Sequence, residues 1–218
     1  MNNLAIPLRA RAPEAVAGQH LDWLESEAVY SLREVAGACA RPVLLFSGST
    51  DSIVLLRLAE KAFSPAPIPF PLLHIDSGRN PRAVVDFRDR RAAQVEAELI
   101  VRHVEDSLPN NSRHHTNTGS AVSQTRRLLE AIAEFRFDAV ISGHCRDEEK
   151  ARAVGRVLAV RDECAQWDQR SERRGVSDSF NLPIESSNYI RAFPISSWTE
   201  SDVRRYIQSE ALEVPARA

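Results

Sequence analysis

Lysine is nearly missing from this chain of 218 residues: of its 28 basic residues only Lys61 and Lys150 are lysine, and the rest are arginine. Cysteine is scarce as well, since Cys39, Cys145 and Cys164 make an odd count with no close pair. That excludes a disulfide framework and a zinc site of paired cysteines, and it predicts free thiols in a reducing, cytoplasmic compartment. No apolar run approaches the length of a membrane span, and the segment Met1 to Ala17 holds Pro7, Arg9 and Arg11 where a secretory signal would be hydrophobic. The formal charge is only −2, so the chain lacks a field that would recruit nucleic acid or an anionic membrane. Internal repeats and low-complexity tracts are absent too. What remains is an ordinary globular composition, 43% apolar and 27% charged, enough to bury a full core as a single α/β domain over 1–218.

The feature that points to chemistry is the hexapeptide Ser47-Gly48-Ser49-Thr50-Asp51-Ser52. It follows the apolar run Val43-Leu44-Leu45-Phe46, which has the length of a buried strand, and precedes a helical pattern that starts at Ile53. A turn of small residues leading into a helix leaves unpaired backbone N–H groups at the positive end of the helix dipole. Such a turn attracts phosphate or pyrophosphate. No Gly-Lys-Ser or Gly-Lys-Thr occurs anywhere, so it is not a Walker loop.

Around the hexapeptide the chain alternates strand and helix. Leu21, Leu24, Ala28, Leu32 and Val35 recur at helical spacing and predict an amphipathic helix from about Pro13 to Cys39, before the first strand. The helix after the loop is expected to end near Phe63, where Pro65, Pro67 and Pro69 make a stiff connector. Leu72-Leu73-His74-Ile75 reads as a second strand ending at Asp76-Ser77-Gly78, followed by a helix from about Arg82 to Ala97 and a third strand, Leu99 to Val104. Residues 105 to about 123 are polar and read as a loop; a helix from Gln124 to Phe135 and a strand from Ala139 to Ser142 follow. That strand runs into Gly143 and the dense charged segment Arg146 to Arg152. After an irregular charged stretch from Asp162 to about Asn188, apolar character returns at Ile190 to Ile195, and Thr199 with Asp202 predicts the N-cap of a last helix. The alternation predicts a doubly wound, mostly parallel sheet with helices on both faces. Ligands of such sheets sit at the carboxyl ends of the strands, where 47–52 and Asp76-Ser77-Gly78 would share one edge.

The loop resembles the pyrophosphate loop of the N-type ATP pyrophosphatases, usually Ser-Gly-Gly-Lys-Asp-Ser, whose fold is the adenine nucleotide alpha hydrolase-like one. Six collinear segments narrow the resemblance to the small subunit of bacterial ATP sulfurylases: Leu24 to Ala28 with Leu32 to Ala36, Pro69 to Gly78, Phe87 to Arg90, Arg146 to Ala153, Arg161-Asp162 with Trp167-Asp168, and Phe193 to Glu200. The resemblance implies a nucleotidyltransferase that uses ATP and Mg²⁺ to turn sulfate, or another small oxyanion, into an adenylyl anhydride with release of pyrophosphate. It also implies a larger GTPase partner subunit. By the same resemblance the Ser47, Gly48, Ser49, Thr50, Asp51 and Ser52 loop binds the pyrophosphate, Asp76, Ser77 and Gly143 belong to the nucleotide site, and Arg146, Lys150 and Arg152 clamp the α-phosphate and the sulfate. Asp51 has a second reading, as a first-turn carboxylate at the dipole's positive end, and Arg146 to Arg152 has one as a solvated helix face. Arg79 and Arg82 are expected to add positive charge at the same edge. No metal-ligand set is predicted: His114-His115 lacks ligand spacing, and Cys145 reads as packing.

Three departures from the pattern matter. Thr50 stands where the loop lysine belongs, and losing one such charge typically costs about 3–4 kcal/mol of barrier. Drift from lysine towards arginine would have left arginine there, so the charge itself is gone. Val154-Gly155 interrupts a charged continuation, and the sequence ends at Ala218, so the family's C-terminal tail is expected to be absent. The phosphosulfate reductase branch of the same fold uses a C-terminal cysteine, and none follows Cys164. Two alternatives stay open beside sulfate activation: an ATP pyrophosphatase acting on another acceptor in sulfur metabolism, and a non-catalytic nucleotide- or partner-binding paralogue.

Overall fold

Leu24, Ala28, Leu32 and Val35 lie on one stripe of helix α1 (Pro13–Ala38), and all four are buried. The computed structural model describes residues 13–104, 117–143, 158–161 and 189–216. After α1 the chain enters β1 (Pro42–Leu45), α2 (Thr50–Phe63), β2 (Leu72–Asp76), α3 (Arg82–Gln94), β3 (Leu99–His103), α4 (Asn117–Phe135), β4 (Ala139–Ile141), β5 (Leu158–Arg161), β6 (Tyr189–Ala192) and α5 (Glu200–Ser209). Asp138 holds the α1–β1 connection by accepting from the Ala40 and Arg41 amides at 2.7 and 2.8 Å. Burial, with Asp138 adding to it, pushes the Cys39 thiol up to about 12.

The strand order is β3-β2-β1-β4-β6-β5. The first five strands pair in parallel, and β5 closes the edge antiparallel to β6. The predicted doubly wound sheet is therefore present. Its order reverses at β1, which pairs with β2 on one side and β4 on the other, and this opens a crevice at the carboxyl ends of those strands. The pleat sorts the core into two layers. Leu44, Leu72, Ile141 and Ile190 pack with residues of α1, α2, α3 and α5, including Leu32, Leu55, Phe87 and Tyr206. Val43, Leu73, Val140 and Tyr189 point the other way, to Leu128, Ala131 and Ile132 of α4. Each Val, Leu, Ile or Phe among them, fully buried, contributes about 1.5–3 kcal/mol of transfer free energy.

Two helix starts and one strand differ most from the sequence reading. α2 begins at Thr50, because Ser49 serves as its N-cap by accepting from the Ser52 amide. α4 begins at Asn117, seven residues before the expected start; its first turn is Asn-Thr-Gly-Ser, residues that compete with helix locally and leave no apolar period to read. β5 was not expected at all, since four residues carry too short a pattern. Among the described residues no helix is long and apolar enough to cross a membrane.

Candidate active site

The chain turns from β1 into α2 over a single buried glycine. Gly48 has φ +75°, and a Cβ there would meet Val84 Cγ1 at 2.9 Å, so both backbone sterics and the packing of α3 demand glycine. The turn gathers hydroxyls: Ser47 Oγ lies 3.0 Å from Ser49 Oγ and 3.4 Å from Ser52 Oγ, and Ser52 Oγ donates to the Ser49 carbonyl at 2.9 Å. Ser47 and Thr50 are exposed while Asp51 and Ser52 are buried. Thr50 Oγ1 donates to Asp51 Oδ1 at 3.3 Å, so the residue in the lysine position is turned to its neighbour. Ser49 takes the capping role, which leaves Asp51 as a buried first-turn carboxylate.

β4 ends against this turn. A Cβ on Gly143 would sit 2.9 Å from the Asp51 carbonyl carbon and oxygen and 3.1 Å from the Ser52 nitrogen, all backbone atoms that cannot step aside. The residue before it, Ser142, is buried and accepts from Arg191 Nη2 of β6 at 2.9 Å. On the other side, β2 ends at Asp76, whose Oδ1 accepts from the Gly78 amide at 2.8 Å and from Asn80 Nδ2 at 3.4 Å. Its Oδ2 lies 3.6 Å from His103 Nδ1 at the end of β3.

Thus 47–52, Asp76-Ser77 and Gly143 converge on one sheet edge, as the sequence led one to expect. Arg82 opens α3 with its side chain exposed and its Nε paired with Asp86 at 2.9 Å. Arg146, Lys150, Arg152, His114, His115 and Cys145 lie outside the described residues. Sequence reasoning missed Arg191 and Ser142, and also His74, which is buried with Nδ1 2.8 Å from the Phe46 carbonyl. A polar residue inside the run Leu72-Leu73-His74-Ile75 was the available signal. Burial holds the His74 imidazole below its ordinary pKa; the Phe46 carbonyl opposes this, and the Arg88 guanidinium adds to it. Chemically, the edge offers donor amides, three hydroxyls and a helix N-terminus to an anion with several oxygens.

The chain is 48% identical over 197 residues to "Sulfate adenylyltransferase subunit 2" of Streptomyces lavendulae, covering 90% of this chain and 62% of that protein. It is 45% identical to the protein of the same name from Mycolicibacterium gilvum, over 90% of this chain and 64% of that one. It therefore spans just under two thirds of the length of these relatives. Among solved structures, phosphoadenylyl-sulfate reductase from Candida auris, in a phosphate complex, superposes with a TM-score of 0.59 at 15% identity, covering 98% of this chain and 92% of the other. At that identity the likeness concerns the fold. Residues 41–216, nearly everything from β1 to the end of the described chain, match the phosphoadenosine phosphosulfate reductase domain, and the chain belongs to that family.

Proposed function

We propose that this chain is the catalytic subunit of a sulfate-activating complex, transferring the adenylyl group of ATP to sulfate. The observation that carries the reading is the hydroxyl-rich turn at the N-terminus of α2, closed by Gly48 and Gly143 at the crevice between β1 and β4. The near-half identity to proteins named for that activity supports it. In this reaction a sulfate oxygen attacks the α-phosphorus, the bond from that phosphorus to the bridging oxygen breaks, and pyrophosphate leaves with the electron pair. The loop amides and the Ser47, Ser49 and Ser52 hydroxyls receive the charge that accumulates on pyrophosphate. Asp76 and Ser77 face the nucleoside. Arg146, Lys150 and Arg152 are assigned to the α-phosphate and the sulfate by resemblance.

Mg²⁺ belongs to this reading as the counter-ion of the nucleotide. It keeps several waters and takes one or two carboxylates besides phosphate oxygens. The donor set fits, because Asp51 places a buried carboxylate in the first turn of α2 beside the phosphate turn. A larger partner subunit, a GTPase by the resemblance, follows from the designation of the relatives as subunit 2.

The test is pyrophosphate release by the purified chain with ATP, Mg²⁺, sulfate and a matching larger subunit. Release that depends on sulfate is expected. Release that needs a different acceptor would move the chain to another activation reaction on the same scaffold. Tight nucleotide binding without release under any acceptor would leave a binding paralogue.

A further inference from the structure

The buried imidazole of His74 sits between the two halves of the proposed nucleotide site. On one side its Nδ1 is 2.8 Å from the carbonyl of Phe46, the residue immediately before Ser47. On the other its Nε2 is 3.2 Å from Nδ2 of Asn80, in the turn between β2 and α3. The same Asn80 Nδ2 reaches Oδ1 of Asp76 at 3.4 Å.

The direction of every hydrogen in this chain follows from its two ends. A backbone carbonyl only accepts, so Nδ1 of His74 carries the proton. A carboxylate only accepts, so the Asn80 atom facing Asp76 is the amide nitrogen, whose second hydrogen points to Nε2. Nε2 must then be bare; a cationic ring would set two donors against each other. The surroundings favour that neutral form. The ring is buried in β2, Arg88 of α3 is buried beside it with its Nη1 unpaired, and the carboxylates that act on it are Asp76 of β2 and Asp89 of α3. Arg88 lies one helical turn beyond Val84, the residue packed against Gly48.

We propose that His74 is a positioning residue: a neutral, doubly bonded tether that fixes the phosphate turn relative to the Asp76-Ser77 turn, so that one ATP engages both. This role rests on the nucleotide reading above. Geometry of this kind matters most for a ligand that spans both turns, because each fragment alone can adapt to one of them.

Two measurements on the full chain test it. Histidine-ring ¹⁵N NMR is expected to show His74 protonated at Nδ1 and bare at Nε2 throughout pH 5–8, in a signal lost in His74→Asn. Calorimetry is expected to show ATP affinity falling about tenfold in His74→Asn and in Asn80→Ala, the scale of one unpaired buried group. Affinities for inorganic pyrophosphate and for AMP should each change less than about twofold. Asn80→Ala removes a half-buried turn side chain, so it reports even where the core variant fails to fold. An Nε2-protonated or normally titrating ring overturns the proposal, as does full ATP affinity in Asn80→Ala, or equal losses for ATP and its fragments. Wild-type protein that binds neither ATP nor pyrophosphate overturns the nucleotide reading and this role together; failure confined to the variants overturns the tether alone.

Discussion

The two ends of the sheet are built from opposite materials. At the carboxyl end, where α2 begins, small residues and hydroxyls dominate, and the described loop carries no cation. At the far end, where α2 and α3 finish, charges are dense and mutually paired. Lys61 donates to Glu25 and to Glu210 at 2.7 Å, Arg57 to Glu210 at 3.0 Å, and Arg91 to Glu60 at 2.5 Å. These pairs tie α1, α2, α3 and the end of α5 together. A cleft of about 490 Å³ opens there, bounded by Arg57, Lys61, Pro65, Pro67, Gln94 and Glu96. Both of its cations are already committed to Glu210, so size alone does not make it a ligand site. One of the chain's two lysines is thus placed where it holds helices together, while the loop position expected to hold lysine carries threonine. Small residues and hydroxyls mark the working end, and paired charges mark the structural one.

The largest expected effect comes from putting a charge where the working end lacks one. Thr50→Lys places an ammonium beside the leaving pyrophosphate, and pyrophosphate release with ATP and sulfate is expected to rise about a hundredfold to a thousandfold. An unchanged rate would mean that the charge is supplied from elsewhere in the site. Next is Gly143→Val. Its Cβ would press on the Asp51 and Ser52 backbone, and displacing the loop by about 1 Å is expected to cost on the order of a hundredfold in rate. The melting temperature should fall by only a few degrees.

The contrast between the ends also explains what the sequence made legible. Order and type of β1, α2, β2, α3 and β3 followed from apolar runs bounded by Gly, Ser and Pro, and the capping box at Thr199 and Asp202 was readable at its fixed spacing. The turn at 47–52 was readable for the same reason: it is local. Gly143 came from the family resemblance, and the physical reason for glycine there, the backbone of a residue 92 positions earlier, appears only in three dimensions. His74 showed only as a polar residue in an apolar run, and nothing local named Phe46 or Asn80 as its partners; Arg191 was illegible because its partner Ser142 lies on another strand. The far-end pairs join residues up to 153 positions apart, Arg57 to Glu210, and no spacing rule reaches that distance.

Breaking the structural end should leave nucleotide affinity alone and change stability in a pH-dependent way. Hydrogen bonding from Lys61, which with that from Arg57 outweighs partial burial, holds the Glu210 carboxyl below its ordinary value. A lowered folded-state value means the unfolded chain binds the proton more readily. The contribution is therefore complete above the unfolded carboxylate range, near pH 4–5, and is lost as pH falls through the lowered value. Glu210→Gln is expected to cost about 1–2 kcal/mol at pH 7, a figure reduced for the partial exposure of the pairs. Urea unfolding at pH 7 and at pH 3 should show the difference shrinking at the lower pH, with ATP affinity unchanged at neutral pH.

The smallest effect lies at the N-terminus of α5, the helix that leads from the working end back to Glu210. Thr199 Oγ1 accepts from the Asp202 amide at 3.2 Å, and Asp202 Oδ2 accepts from the Thr199 amide at 3.0 Å and its hydroxyl at 2.6 Å. Burial would raise the Asp202 carboxyl, but the Thr199 hydrogen bonds hold it below its ordinary value. Thr199→Ala removes the hydroxyl and is expected to cost about 1 kcal/mol, with Thr199→Ser recovering most of it. The loss passes along the helix, because Tyr206, packed edge-on against the buried Trp198, donates from its hydroxyl to Glu25 Oε2 at 2.7 Å. Hydrogen exchange should therefore speed up along α5 while the amides of 49–53 keep their protection. Faster exchange at 49–53 as well would mean that the two ends are one cooperative unit and that their separation into working and structural halves is wrong.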